Sequence, residues 1–198
     1  MDSVAYVVLA AGGSTRMGFA KATAPLAGRS PLQRLVDVLE DRPVTIVTSE
    51  ASSAAVRSVA GSARVLVNPD PALGMTSSLR IAHAAIEAGA ALGVLLADKP
   101  LLSRATLERC ERMLETSRGD VLYAVYAGTA GHPVYFGPRA RARLGALAAG
   151  DTLRALRDDP ALVRIACPCD DEGVVVDLDT PEAWNDAERR LAKRHSHA

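Results

Sequence analysis

The chain has 198 residues and a mass of 20.7 kDa, which is the size of one domain. Hydrophobic residues make up 48% and charged residues 23%, and this composition excludes a disordered chain, a collagen and a coiled coil. Lys and Arg together number 23, as do Asp and Glu, so the formal net charge is zero. Nucleic-acid-binding domains usually carry a basic excess, so we expect no nucleic-acid partner and a local site for any anion.

The three cysteines, Cys110, Cys167 and Cys169, are too few and too unevenly spaced for a disulfide framework, which favours a reducing cytoplasm. Cys167 and Cys169 have no further Cys or His nearby in the sequence to complete a tetrahedral zinc site. We therefore expect buried or incidental thiols. The apolar runs are far shorter than the roughly 20 residues of a membrane span, and the N-terminus lacks the basic stretch of a signal peptide. The sequence thus predicts a cytoplasmic protein with no membrane partner.

Hydrophobic periodicity predicts strands that alternate with helices of 10 to 15 residues. Strands are predicted at 4–10, 44–48, 64–67, 93–97, 121–126, 162–166 and 173–176, with an extended segment at 132–136. Helices are predicted from Pro31 and Ser103 onwards and at 52–59, 77–90, 139–147, 152–157 and 181–194. The clearest helix start is Ser30, where Pro31 follows and Gln33 completes a capping box.

This alternation predicts an α/β fold with a parallel, doubly wound sheet in one domain over residues 1–194, followed by a frayed tail at 195–198. Ligands of such sheets bind beyond the carboxyl ends of the strands, where the strand order reverses. Three segments follow predicted strand ends: the glycine loop from Gly12, the turn at Asp98, and residues 177–179.

The loop at residues 9–21 has the composition of a phosphate site, but it matches neither common glycine motif. A P-loop requires a Lys directly after its last glycine, whereas Lys21 comes two positions late after Gly18. The glycine pair at 12–13 does not have the G-x-G-x-x-G spacing of a dinucleotide site. Backbone N–H groups at these glycines, with Arg16 and Lys21, are nevertheless suitable donors for a polyphosphate. The alternative is a tight turn whose cations are simply solvated.

Acidic residues follow two predicted strands. Asp98 precedes Lys99 and Pro100, and a carboxylate at a strand end suits Mg²⁺, although Asp before Pro is also common in turns. Asp177 and Asp179 point to the same side if the chain is extended there, and they repel each other unless a cation or donors lie between them. We predict that one of the pair binds metal, with Asp177 favoured. The alternative is that Asp179 caps the following helix.

Three further polar residues have both a functional and a structural interpretation. His132 lies between a glycine and a proline, where it could contact substrate, although a lone His is usually structural. Ser77 and Ser78 at a helix start could donate to a phosphate or could only cap the helix. Met75 is expected to pack in the core.

Several motifs occur in a fixed order along the chain. Residues 9–21 read Leu-Ala-Ala-Gly, then Arg16-Met17-Gly18, then Lys21, which is close to L-A-[AG]-G-x-S-x-R-M-G-x-x-K. The others are Asn68-Pro69-Asp70, Gly74 to Arg80, Leu96 to Pro100, Gly131 to Val134, Gly150-Asp151 and Asp177 to Glu182. Together they resemble the MobA-like nucleotidyltransferases over essentially the whole chain.

The resemblance implies a Rossmann-like, mostly parallel sheet and transfer of a nucleoside monophosphate from an NTP to a phosphorylated acceptor, with Mg²⁺ as cofactor and pyrophosphate as product. The acceptor would be molybdopterin, and a molybdoenzyme would be a possible partner. Ala11 fits the branch that resembles molybdenum cofactor cytidylyltransferases, whereas glycine there resembles the guanylyltransferases. CTP is therefore expected in preference to GTP.

The resemblance also implies roles for individual residues. Arg16, Lys21 and Asp98 would be catalytic, and Asp98, Asp177 and Asp179 would be the metal ligands. The nucleotide would be bound by Leu9, Ala10, Ala11, Gly12, Gly13, Ser14, Arg16, Lys21, Asn68, Ser77 and Ser78. His132 and Lys99 would contact the acceptor substrate.

Lys99 departs from the pattern, because the family usually has Met there. Its cation would compete with the metal at Asp98 or would reach a phosphate itself. Two other functions stay open: a sugar-phosphate or other nucleotidyltransferase with the same nucleotide site and, because of Lys99, a non-catalytic cofactor carrier or maturation chaperone. The D-x-D spacing at Asp177 also resembles nucleotide-sugar glycosyltransferases, but its position near the chain end argues against that function.

Overall fold

A computed structural model describes residues 4–12, 19–87, 89–147 and 153–195, and it contains a seven-stranded sheet with the order β3-β2-β1-β4-β6-β5-β7. The strands are β1 Val4–Ala10, β2 Val44–Ser49, β3 Arg64–Asn68, β4 Ala91–Leu96, β5 Val121–Tyr126, β6 Thr129–Phe136 and β7 Arg164–Pro168. All neighbouring pairs are parallel except those of β6, which runs antiparallel to β4 and β5. The predicted mostly parallel α/β sheet is confirmed.

Helices cover both faces of the sheet. In the described residues they are α1 Pro31–Val38, α2 Ser53–Val59, α3 Met75–Ala85, α4 Arg104–Thr116, α5 Pro138–Ala142, α6 Leu153–Arg157 and α7 Pro181–His195. The capping box at Ser30 is confirmed, because its side chain accepts from the Gln33 N–H at 3.2 Å while the Gln33 side chain accepts from the Ser30 N–H at 2.8 Å. Within the described residues, no helix is both long enough and apolar enough to cross a bilayer.

The core lies on both sides of the sheet because successive residues of β1 point to opposite faces. Tyr6 and Val8 pack in one apolar cluster with α1 and α4, and Val7 packs in the other with α3 and α5. Both faces of β1 are therefore buried, as a central parallel strand requires.

Three predicted elements differ from the structure. The helix expected at 139–147 divides into α5 and a 3₁₀ turn at Leu144–Ala146. The helix expected at 77–90 spans Met75–Ala85, because the chain becomes extended at Ile86. The buried Arg141 side chain then binds the carbonyl oxygens of Ile86, Glu87 and Ala90 at 2.5 to 3.3 Å. Hydrogen bonds from the Arg141 guanidinium on α5 thus satisfy the carbonyl groups that a longer α3 would have bonded within the helix.

The strand expected at 173–176 is wrong: Glu172–Val174 forms a short 3₁₀ helix instead. This turn packs so tightly that a Cβ on Gly173 would lie 2.5 Å from the Leu101 carbonyl carbon. A Cβ on Gly131 would likewise overlap the Val174 carbonyl. Both glycines are needed for backbone packing, which sequence periodicity does not detect.

Candidate functional site

The strand order reverses between β1 and β4, and a cavity of about 980 Å³ opens at the carboxyl ends of these two strands. Its walls come from the ends of the first four strands and from the segments that follow them. The lining residues are Leu9, Ala10, Ala11, Gly12, Phe19, Ala20, Lys21, Ala22, Ser49, Ala51, Ser52, Pro71, Ala72, Gly74, Met75, Ser78, Leu96, Ala97, Asp98 and Asp179. The cavity is therefore where a doubly wound sheet binds its ligand.

Backbone hydrogen bonds position the acidic residues at the cavity. The Ala97 N–H donates to the Leu9 carbonyl at 3.1 Å, which ties the turn at Asp98 to the end of β1. The N–H of the fully buried Leu178 donates to the Asp98 carbonyl at 3.2 Å. Leu178 therefore holds the two flanking aspartates, Asp177 and Asp179, beside Asp98.

Lys21 lies between two of these carboxylates. Its Nζ is 2.7 Å from an oxygen of Asp179 and 3.9 Å from an oxygen of Asp98. The Lys21 side chain is mostly buried, whereas that of Asp179 is 55% exposed. Lys21, Asp98 and Asp179 are each separated from the next by some 80 residues in the sequence, and the fold brings them together. The group lies where a ligand can reach it.

Asp98 has the one buried carboxylate oxygen without a hydrogen-bond partner in the part of the chain that the structure describes. Burial raises the pKa of Asp98, the Asp177 carboxylate raises it further, and Lys21 and Lys99 offset only part of this effect. An unsatisfied carboxylate in a water-poor site gains free energy from a cation. The oxygen donor set of Asp98 and Asp179 fits a hard divalent ion such as Mg²⁺.

Lys99 is almost completely buried, with 3% of its side chain exposed, and its Nζ is 2.5 Å from an Asp177 oxygen. Asp177 is thereby paired with a cation supplied by the chain. Asp179, rather than the favoured Asp177, lines the cavity beside Asp98. The roles predicted for Lys99 in acceptor binding and for Asp177 in metal binding stay predictions, and the observed ion pair offers a structural role for both.

Asn68, Ser77 and Ser78 form a hydrogen-bonded group that shapes the cavity wall. The Asn68 amide donates to the hydroxyls of Ser77 and Ser78 at 2.8 and 2.9 Å, and its oxygen accepts from the Asp70 N–H at 3.0 Å. Of the three, only Ser78 lines the cavity. Nucleotide binding by these residues stays a prediction, while their observed contacts hold the start of α3 against the end of β3.

His132 lies on β6, away from the cavity lining, and its Nδ1 is 3.1 Å from the Val94 carbonyl oxygen. Burial lowers the pKa of His132 to about 4, so the imidazole is neutral at pH 7. This arrangement fits the structural interpretation of the histidine. Its predicted contact with the acceptor stays untested.

Part of the glycine loop falls outside the described residues. Gly13, Ser14 and Arg16 belong to that part, as does Gly150-Asp151. Gly12 is described and exposed, and a Cβ there would meet no described atom within 4 Å. The described residues therefore leave space for a ligand at the Gly12 backbone.

Sequence reasoning missed several apolar residues at the cavity. Met75, expected in the core, is 41% exposed and lines the cavity together with Phe19, which is also 41% exposed. The Phe19 ring contacts the Trp184 ring edge to face, with centroids 5.0 Å apart. Two serines at the cavity were also missed: Ser49 ends β2 and Ser52 follows it, so the rule that ligands bind beyond strand ends would have found them if applied to that strand.

Two curated proteins are similar in sequence. The bifunctional protein GlmU of Paramagnetospirillum magneticum is 37% identical over 131 residues, which is 60% of this chain and 26% of GlmU. The chain thus spans about a quarter of the length of that relative. Nicotine blue oxidoreductase of Paenarthrobacter nicotinovorans is 28% identical over 196 residues, covering 92% of this chain and 95% of the relative.

A solved structure is similar over nearly the whole fold. Rv0371c from Mycobacterium tuberculosis H37Rv superimposes with a TM-score of 0.81 at 26% identity, over 95% of this chain and 98% of that one. The complex of Rv0371c with manganese superimposes with a TM-score of 0.77 at 25% identity, over 94% of this chain and 98% of that one.

The sequence profile of the MobA-like NTP transferase domain matches residues 6–165, which include most of β1, the cavity walls on β2 to β4, and Asp98. The motifs, the sheet order and the cavity at the strand reversal agree with this match. The chain therefore belongs to the MobA-like NTP transferase domain family, an enzyme family whose reaction is nucleotidyl transfer.

Proposed function

We propose that the chain transfers CMP from CTP to the terminal phosphate of a molybdopterin-type acceptor in the cytoplasm and releases pyrophosphate. The unsatisfied Asp98 oxygen, placed beside Lys21 at the strand reversal, is the observation that carries the proposal. The motif resemblance supports the acceptor, and Ala11 supports the choice of CTP.

The carboxylates at the cavity fit a divalent cation, as judged from the buried Asp98 oxygen without a partner in the described residues. Asp98 and Asp179 would hold the ion, and the manganese complex of Rv0371c supports a divalent metal in this fold. We propose Mg²⁺ as that ion. When bound, it would neutralise charge on the phosphates of the nucleotide.

The chain's own groups would position the phosphates and neutralise their charge. In the reaction, an oxygen of the acceptor phosphate attacks the α-phosphorus, a P–O bond forms, and the bond to the leaving pyrophosphate breaks. The attacking oxygen is already anionic, so no strong general base is needed. Lys21 would exchange the Asp179 carboxylate for a phosphate oxygen of the leaving group. Arg16 would also neutralise the leaving pyrophosphate, and the Gly12 backbone would approach the triphosphate.

The apolar wall of the cavity suits the flat, neutral parts of the two substrates. Leu9 and the alanines at 10–11 would lie against the nucleoside, because the triphosphate occupies the Gly12 loop. Phe19 and Met75, both partly exposed, offer a surface for a planar ring. Polar groups at one end and an apolar wall at the other are typical of small-molecule sites.

A second candidate function comes from the full-length similarity to nicotine blue oxidoreductase, which is named for an oxidation–reduction reaction. The loop at the end of β1 lacks the G-x-G-x-x-G spacing of a dinucleotide site, which favours the transferase. NADH and NADPH therefore belong in the ligand panel as controls.

The test begins with thermal unfolding in the presence of CTP, GTP, ATP, UTP, NADH or NADPH, each with and without Mg²⁺. A ligand at about 100 times its Kd should add roughly 2.7 kcal/mol to the free energy of unfolding. We expect the largest Mg²⁺-dependent shift with CTP, then pyrophosphate release on addition of molybdopterin. Release with a sugar phosphate instead would support the other transferase, binding without turnover would support a carrier, and a response to NADH alone would contradict nucleotidyl transfer.

A further inference from the structure

All three cysteines of the chain meet in its core, although Cys110 is far from the other two in the sequence. Their Sγ atoms all lie within 4.8 Å of one another, and those of Cys167 and Cys169 are 4.0 Å apart. Cys110 and Cys167 are fully buried, and Cys169 is 8% exposed. The fold therefore gathers all three thiols of the chain into one buried cluster.

The fold produces this cluster from two elements. Cys167 lies on β7, and the Cys169 N–H donates to the Val125 carbonyl at 2.8 Å, so the chain stays extended beside β5. Residues two apart on an extended chain point to the same face, which directs both thiols towards α4. Cys110 is a buried residue of α4, and it closes the triangle from the opposite side.

The dimensions of the triangle suit a three-coordinate ion. A three-coordinate ion with a lone pair binds its sulfurs as a pyramid, and bonds of about 2.3 Å at angles of about 100° place the sulfurs about 3.5 Å apart. The sulfurs of Cys167 and Cys169 are 4.0 Å apart and all three lie within 4.8 Å of one another, so small side-chain rotations bring them to this spacing. Structural zinc requires a fourth ligand, and the described residues supply only three in this cluster.

Charge narrows the choice of ion further. The cluster belongs to the same apolar core as Leu107, Leu122 and Val174. Burial raises the pKa of the Cys110 thiol and raises that of Cys169 to about 11, so these two thiols are neutral at pH 7. Three thiolates around Cu(I) or Zn(II) would leave a net negative charge in this core, which is costly. A trivalent ion would give a neutral complex.

We propose that Cys110, Cys167 and Cys169 form a binding site for a trivalent, thiophilic ion, represented by arsenic(III). With As(OH)₃, three As–O bonds break and three As–S bonds form. Each departing hydroxide leaves as water with one thiol proton, so the oxidation state of arsenic does not change and no base is consumed. The exposed edge of Cys169 is the side from which the ion would enter.

This site is separate from the cavity between β1 and β4, whose lining contains none of the cysteines. The proposal therefore does not depend on the proposed transferase function. Bound arsenic would connect β7 to α4 and would stabilise the folded state without contact with the nucleotide site.

The experiment adds arsenite to the reduced, full-length protein and records native mass spectra and the arsenic X-ray absorption. We expect one arsenic per chain, a mass gain of one arsenic less three hydrogens, three sulfur neighbours, and a higher Tm. Cys110→Ala should weaken arsenite binding at least about tenfold, and Cys169→Ala serves as a second variant if Cys110→Ala does not fold. Val174→Ala removes packing from the same core but keeps all three thiols, so it should bind arsenite as the unmodified chain does.

Three results of these experiments would overturn the proposal. Equal affinity of the unmodified chain and of both folded cysteine variants would show that the triangle is not the site. Two sulfur neighbours instead of three would show that the chain binds as an ordinary dithiol. Tighter binding of Zn(II) or Cu(I) than of arsenic(III) in competition would contradict the charge argument.

Discussion

Two cavities of equal volume, about 980 Å³ each, lie at opposite ends of the sheet, and their polar groups differ. Arg42 lines the cavity at the amino ends of β1 to β3, and it donates to both oxygens of Glu111, which is not a lining residue, at 2.7 and 2.8 Å. The Tyr6 hydroxyl, also outside the lining, donates to the same carboxylate at 2.5 Å. At the carboxyl ends, Asp98 keeps a buried oxygen without a partner in the described residues.

This difference in polar groups shows that the volume of a cavity alone does not identify a functional site. A group whose hydrogen bonds are complete within the chain has little to gain from a ligand, whereas an unsatisfied buried carboxylate gains a great deal. The strand order also favours the carboxyl-end cavity as the functional site, because of the two cavities only this one lies at the reversal between β1 and β4. Substitutions in the two cavities should therefore have opposite effects on activity and stability.

The largest effect is expected for Asp98→Asn. Removing the charge at the proposed metal site should lower Mg²⁺-dependent pyrophosphate release about a hundredfold to a thousandfold. The Tm should hold or rise, since the change removes a buried carboxylate whose pKa burial and Asp177 raise. Metal titration followed by Mn²⁺ electron paramagnetic resonance checks the loss of binding. If Mg²⁺ still stimulated the variant fully, the assignment of the metal to Asp98 would be wrong.

Lys21→Ala should lower turnover about tenfold to a thousandfold, because one phosphate donor is lost in a closed site. The fold should survive, since its ion-pair partner Asp179 is more than half exposed. Steady-state pyrophosphate release measures the effect. Lys193→Ala on α7 is a matched control that removes a lysine outside the cavity lining, and it should leave turnover unchanged.

Arg42→Ala should have the reverse pattern, with a free energy of unfolding lower by about 1 to 3 kcal/mol and unchanged turnover per folded molecule. Burial raises the pKa of Glu111, but hydrogen bonds from Arg42 and Tyr6 outweigh it, so the net pKa lies below the ordinary 4.5. The folded state therefore binds this proton less readily than the unfolded state. The stabilisation is complete above pH 4.5 and is lost as the pH falls through the lowered value.

Urea unfolding between pH 7 and pH 3 separates the two parts of this prediction. The unmodified chain should lose stability more steeply than Arg42→Ala as the pH falls below 4.5. If Arg42→Ala were as stable as the unmodified chain, or had impaired turnover when folded, the predicted difference between the two cavities would be wrong.

The smallest effect is expected for Ala11→Gly. A methyl-sized difference in a pocket is worth about 1 to 3 kcal/mol, or roughly 10- to 200-fold. We expect the unmodified chain to prefer CTP over GTP, and the variant to relax that preference without inverting it, because hydrogen bonds to the base edge supply the rest. Competition assays that compare kcat/KM for both nucleotides decide this. A preference of the unmodified chain for GTP would leave nucleotidyl transfer intact and would contradict the cytidylyl assignment.

Local features of the chain were predictable from the sequence because their causes are local. The buried strand β1, the capping box at Ser30 and the carboxylate that follows β4 each depend on residues a few positions apart. Leu9 to Gly12, Lys21, Asp98 and Asp179, which the strand ends and motifs single out, line the cavity, and their binding roles stay predictions. Asn68 and Ser77 were also singled out, but the structure shows them bonded to neighbouring protein groups.

The tertiary structure alone decided which distant residues meet. The antiparallel insertion of β6, the 3₁₀ turn at Glu172–Val174, the Lys99–Asp177 ion pair and the triangle of cysteines have no signal in local spacing. Each depends on how helices and strands pack across the sheet, and burial then sets the electrostatics of the groups that meet. The sequence by itself thus determined the elements and the kind of chemistry, while packing determined the partners, because contacts between distant residues follow from strand order and not from periodicity.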